Sequence, residues 1–129
     1  MPETRTRFLQ RQFLDIAVMY PSPNEKGKWV AHSIETDQIG VGECVLEAYV
    51  ELCRAVRALL NAADRDPSIQ VLSPAPENIR RMLMTAKKLP DEIAEIAALQ
   101  LSGRFPATLD KPWNPPQLRA LSAPVMVSV

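Results

Sequence analysis

Histidine, cysteine and net charge are all scarce in this 129-residue chain: one histidine, two cysteines, and fifteen basic residues balanced by fifteen acidic ones. A single histidine restricts any Ser–His–Asp or Cys–His arrangement to His32, and a lone histidine carries no spacing signal, so it reads as structural. Zero net charge argues against a nucleic-acid binder that works by bulk electrostatics, because neutralising phosphates takes clustered Lys and Arg. It also weakly favours self-association. Cys44 and Cys53 lie on what reads as one helix, about 13 Å apart along its axis, whereas a disulfide needs Cα atoms within about 7 Å. They are expected as half-buried free thiols in a reducing cytoplasm, and with one histidine they make a poor zinc set. No apolar run reaches the roughly 18 residues that span a membrane, and MPETRTRFLQRQF lacks the apolar core of a secretory signal. A cytoplasmic protein with no membrane partner is expected. There is no Walker loop, no Gly-x-Gly-x-x-Gly, no His-Glu-x-x-His and no Cys-x-x-Cys, so no cofactor or metal is implied.

What is present is a pattern of strands followed by helices. Residues 1–11 form a polar, basic arm with Arg5, Arg7 and Arg11. Phe13 to Tyr20 is rich in strand formers, and Pro21 to Gly27 carries loop chemistry. Lys28 to Glu35 alternates, with Trp29, Ala31, Ser33 and Glu35 on one face and Val30, His32, Ile34 and Thr36 on the other. The two runs predict an antiparallel hairpin, with Ile39 to Gly42 adding a short third strand and Gly40 and Gly42 read as turn glycines before a helix. Cys44 to Ala63 is the clearest helix: Val45, Tyr49, Leu52, Val56, Leu59, Leu60 and Ala63 line one stripe at three- and four-residue spacing. Ser68 to Leu72 predicts a short strand and Glu77 to Lys88 a second helix, with Met82 and Met84 in the core. Lys87-Lys88-Leu89-Pro90 reads as a tight turn into a third helix ending near Leu101. The fold class predicted is α+β: a small antiparallel sheet in β-β-β-α-β order packed on one long helix, then two shorter helices. The domain is expected to span 12–103. From 104 to 129 a Pro-rich extension follows, and its apolar end, Val125 to Val129, is expected to dock as an edge strand or against a second copy.

Trp29-Val30-Ala31-His32-Ser33-Ile34-Glu35, then Asp37 and Ile39, then Gly42-Glu43 and Glu47-Ala48 at the helix start resemble the pattern of the HicB-like antitoxin family, with Pro74-Ala75-Pro76-Glu77 similar to a segment that follows the helix in some members. The match covers roughly Phe13 to Ala86. Cys44 stands where the family has a threonine. The resemblance implies a partial RNase H-like fold and a non-catalytic domain that sequesters a small RNase toxin by covering its active surface.

On this reading a small RNase toxin or another chain is the partner, the protein is a homo-oligomer, and the outer edge of Phe13 to Tyr20 is the natural place for strand pairing. The partner-binding residues expected are Phe13, Ile16, Val18, Tyr20, Trp29, His32, Glu35 and Asp37. The alternative is a nucleic-acid-binding regulator using Arg5, Arg7, Arg11, Arg80, Arg81, Lys87 and Lys88. It is less favoured because the last helix carries Asp91, Glu92 and Glu95 and no basic residue. A remoter alternative is a metal-dependent nuclease built on Glu35, Asp37, Glu43 and Glu47.

Overall fold

Alternating apolar residues in the first third of the chain build a sheet, and one long amphipathic helix roofs it. The computed structural model describes residues 16–103 and 120–125. Along the chain, strands β1 (Ile16–Pro21), β2 (Trp29–Ser33) and β3 (Ile39–Gly42) precede helix α1 (Val45–Arg65). Helix α2 (Glu77–Met82), strand β4 (Lys87–Lys88), helix α3 (Asp91–Leu101) and strand β5 (Leu121–Pro124) follow. The class is α+β, as the sequence pattern predicts.

The five strands lie in the order β3-β2-β1-β5-β4. β1 pairs antiparallel with β2 and with β5, and β2 antiparallel with β3. β4 runs parallel to β5, so the sheet is mixed rather than purely antiparallel. Register sorts the side chains. Ala17, Met19, Trp29, Ala31, Leu121 and Ala123 face α1 and join its stripe of Val45, Tyr49, Leu52, Val56, Leu60 and Ala63 in one core. Ile16, Val18, Tyr20, Val30, His32, Ile39 and Val41 fall on the opposite face.

Helix α1 begins at an N-cap, Cys44, whose Sγ accepts from the Glu47 backbone N–H at 3.5 Å. A thiol is a weak acceptor, yet it meets one of the orphan amides of the first turn. Both cysteines are buried, and neither forms a disulfide. At the far end of the core, the Arg57 guanidinium donates to the Leu101 carbonyl at 3.4 and 3.5 Å. It thereby ties α1 to the negative end of α3. Tyr49 reaches across the sheet, its hydroxyl donating to the Pro124 carbonyl at 2.6 Å.

Several expectations fail for identifiable reasons. The outer edge of β1 is not open: β5 fills it, so the hairpin strand Ile16–Pro21 sits in the middle of the sheet. Ser68 to Leu72 is not a strand. Pro67, Pro74 and Pro76 bracket it, and the chain instead runs past the β2–β3 connection, where Ser73 and Ala75 N–H groups donate to the Glu35 and Ile34 carbonyls at 2.9 and 2.8 Å. The second helix stops at Met82, not Lys88, because Lys87 and Lys88 are drawn into β4, their strand bonded to β5 through Lys87 N–H to Ala120 and Leu89 N–H to Ser122. Met84 consequently lies in an exposed turn, 87% accessible, and not in the core. The C-terminal strand is Leu121–Pro124, an interior strand rather than an edge; the expected strand residues 126–129 lie outside the described residues, as do Phe13, Arg5, Arg7 and Arg11.

Candidate functional site

Among the described residues β3 is one margin of the sheet, and its two faces differ completely. Gly40 and Gly42 face α1, where a Cβ on Gly40 would stand 2.2 Å from the Leu52 nitrogen and 2.5 Å from the Ala48 oxygen. On Gly42 it would stand 2.6 Å from the Ala48 nitrogen. The glycines are therefore strand residues that let helix backbone lie directly on strand backbone, not turn residues. On the other face Ile39 and Val41 are exposed, 51% and 38%. The register also orients the backbone. Ser33 N–H bonds to the Gln38 carbonyl at 2.9 Å, which makes Ala31–Gly40 and Trp29–Gly42 the bonded pairs of the ladder. The N–H and C=O groups of Ile39 and Val41 point away from β2, out of the sheet.

The connection that presents this edge is held from inside. Asp37 adopts a left-handed conformation, φ 54°, which Asp tolerates better than most residues. Its Oδ1 accepts from His32 Nε2 at 2.6 Å, and His32 Nδ1 lies 3.0 Å from the Tyr20 hydroxyl. The tautomer that satisfies all three has the Nε2–H donating to Asp37 and the Tyr20 O–H donating to Nδ1. His32 is 8% exposed. Beneath the chain, Ser33 Oγ accepts from the Thr36 N–H at 3.2 Å and hydrogen-bonds the Thr36 hydroxyl. Burial, helped by the Asp37 carboxylate, raises the Tyr20 pKa above its ordinary value. A phenol that holds its proton more tightly is the reverse of an activated nucleophile. The Tyr20–His32–Asp37 chain thus clamps β1, β2 and the β2–β3 turn into one unit.

Of the residues expected to bind a partner, Tyr20, His32 and Asp37 are brought together by this chain of hydrogen bonds. Val18, Trp29 and His32 are buried, and Ile16, Tyr20 and Glu35 are half-buried. Asp37 is the exposed member of the group. Ile39 and Val41, which mark the open edge, are not among the residues expected from the sequence to bind a partner. Their signal is the alternation Ile-Gly-Val-Gly itself, in which each large residue faces away from the helix. Glu43 and Glu47, at the end of β3 and on the first turn of α1, are also exposed.

Among the described residues no three His, Cys, Asp or Glu side chains gather closely enough to hold a metal ion, and no helix is long and apolar enough to cross a membrane. Arg80, Arg81, Lys87 and Lys88 are all exposed at the opposite margin of the sheet and on α2. Two of them are occupied: Arg81 pairs with Glu77 at 2.7 Å and Lys88 with Asp91 at 3.4 Å. No protein-family model, curated protein or solved structure matches the chain.

Proposed function

We propose that the chain is a non-catalytic protein-interaction module of the HicB-like antitoxin type, working in a reducing cytoplasm, that takes up another polypeptide along the outer edge of β3. The observation that carries this is the state of that edge. The helix-facing side of β3 is closed by glycines packed on α1, while its backbone donors and acceptors at Ile39 and Val41 point outward beside two exposed aliphatic side chains. An edge of this kind adds a strand readily. Main-chain bonds supply affinity and Ile39 and Val41 supply the apolar contact. The resemblance names a small RNase toxin as one such polypeptide, and a second copy of this chain is the other. The Tyr20–His32–Asp37 clamp has a mechanical part: it holds the turn that aims β3 outward.

The test is isolation of the native complex by affinity to the full chain, followed by mass measurement. A second polypeptide at a fixed ratio is expected. Val41→Pro removes an N–H that faces away from β2 and leaves the β2–β3 ladder intact, so it should release that polypeptide while the chain stays folded. A chain that runs alone at its monomer mass, or a complex indifferent to Val41→Pro, contradicts the proposal.

A further inference from the structure

The open edge of β3 carries carboxylates at both ends. At one end the Asp37 carboxylate accepts from His32 Nε2, which holds it on the face of the sheet that His32 shares with Ile39 and Val41. At the other end stand Glu43, the residue after the strand, and Glu47, whose Cβ and Cγ would stand 2.7 Å from a Cβ on Gly42. All three acids are exposed. Neighbouring charges are paired among themselves. Lys28 feels Glu43 and Glu47 but forms its ion pair with Glu25 at 3.1 Å, and Arg54 pairs with Glu51 at 2.7 Å. The first turn of α1 favours the Glu47 carboxylate without neutralising it. Exposed Lys26, in the β1–β2 loop, is set against Asp37, Glu43 and Glu47, so one cation faces three carboxylates and this margin is acidic among the described residues. The β4 margin has no such excess: exposed Glu77, Asp91, Glu92 and Glu95 match Arg80, Arg81, Lys87 and Lys88 one for one.

We infer that the polypeptide taken up at β3 is a basic one: an extended segment with Lys or Arg at each end of the contact and apolar side chains at the two alternate positions between them. This rests on the reading of β3 as the uptake edge and names the chemistry of its occupant. The edge itself sets the pattern. Ile39, Val41 and Glu43 follow at two-residue steps, which keeps side chains on one face of a strand, and Asp37 reaches the same face through its bond to His32. An antiparallel strand whose backbone meets the outward N–H and C=O groups of Ile39 and Val41 sets its own side chains directly opposite these residues. Its apolar residues then lie beside Ile39 and Val41, and its cations lie opposite Asp37 and Glu43, with Glu47 next to the second. Opposite charges so placed stabilise a strand pair, and like charges destabilise it. A second β3 edge is therefore a poor occupant. With Ile39 meeting Val41, Asp37 falls opposite Glu43 of the other copy, and every other register still joins two acidic margins. The balanced β4 margin offers no charge to select it, and only the Lys88 backbone groups face out of it, because Lys87 and Leu89 donate to β5. A nucleic-acid strand is repelled by the same carboxylates. The main-chain contact involves only the outward groups of Ile39 and Val41, so the end charges carry specificity and make binding salt-sensitive.

The test is fluorescence anisotropy of labelled peptides, capped at both ends, titrated with the full chain. The basic probe is Lys-Thr-Val-Thr-Val-Thr-Lys, and the acidic probe has glutamate in place of both lysines. A third probe, Lys-Lys-Thr-Thr-Thr-Val-Val, keeps the composition of the first without its alternation. At about 0.01 M salt, where charges act over ~30 Å, the basic probe should bind roughly tenfold tighter than the acidic one, since two favourable end pairs replace two unfavourable ones. It should also bind more tightly than the probe without alternation. At about 0.15 M, where charges act over ~8 Å, the preference for the basic probe should shrink. Glu43→Lys with Glu47→Lys should abolish that preference, and Val41→Pro should abolish binding of the basic probe. No binding of the basic probe, equal binding of the basic and acidic probes, a probe without alternation that binds as tightly, or a preference that survives the double variant overturns the inference. A co-purifying polypeptide that Val41→Pro releases would in any of those cases leave the uptake edge standing and remove only the basic character of its occupant.

Discussion

Gly40→Ala is the sharpest probe of how the edge is built. The added methyl would stand 2.2 Å from the Leu52 nitrogen, 2.5 Å from the Ala48 oxygen and 2.8 Å from the Glu51 carbonyl carbon. All three are helix backbone, so no side chain can swing aside. Restoring even ordinary contact at 3.4 Å requires α1 to retreat from β3 by about 1.2 Å, and α1 contributes more of the core than any other element. Overpacking a core costs about 1–3 kcal/mol where side chains absorb it. With a rigid helix as the obstacle the expected loss is at the top of that range, about 3 kcal/mol. That is a large share of the ~5–15 kcal/mol typical of a domain, and it lowers Tm by roughly 10 °C at this size. Gly27→Ala is the matched control. Gly27 has φ +83° and nothing within 4 Å, so the same methyl meets only backbone strain of about 1–2 kcal/mol. Thermal and urea unfolding of both variants decides the matter. If Gly40→Ala melts no lower than Gly27→Ala, the close strand–helix contact is wrong.

Three further outcomes follow from the same geometry. Cys44→Ser replaces a weak thiol cap with a hydroxyl of strong N-cap preference, and urea titration should show a gain of about 0.5 kcal/mol; a loss of that size would mean that the buried thiol matters more for packing than for capping. Tyr49→Phe deletes the donor to the Pro124 carbonyl, and about 1 kcal/mol should be lost, with local hydrogen exchange faster in β5 than elsewhere. At alkaline pH, burial holds the phenols of Tyr49 and Tyr20 above their ordinary value of 10.0, with Cys53 and Asp37 adding respectively. The folded state favours the protonated phenols, so their contribution is fully present below pH 10 and is lost as pH rises past it. Unfolding followed by tyrosinate absorbance should show stability declining from about pH 10 upward, and flat stability there would contradict the burial of both rings.

The long helix was legible because its signal is periodic: the buried residues of α1 are those that recur at three and four. The first three strands were legible by alternation. What escaped was long-range. Nothing local in Leu121–Pro124 announces that it will pair with β1, and that single pairing moves the free edge from β1 to β3. Lys87 and Lys88 have good helix propensity, yet bonds to Ala120 and Ser122 draw them into a strand. The Ile-Gly-Val-Gly alternation is legible as a strand, but the reason for its glycines is not, because the closeness of α1 that requires them depends on how the helix folds back. The His32–Asp37 contact spans only five residues, but it depends on the left-handed backbone at Asp37, which sequence does not display.

Residue-resolved hydrogen exchange along β3, in the isolated chain and in the native complex, tests the central claim most directly. In the isolated chain Gly40 and Gly42 amides should be protected by β2 while Ile39 and Val41 amides exchange freely. In the complex the latter two should become protected as well. Ile39 and Val41 amides that exchange at the same rate in both states would contradict the account.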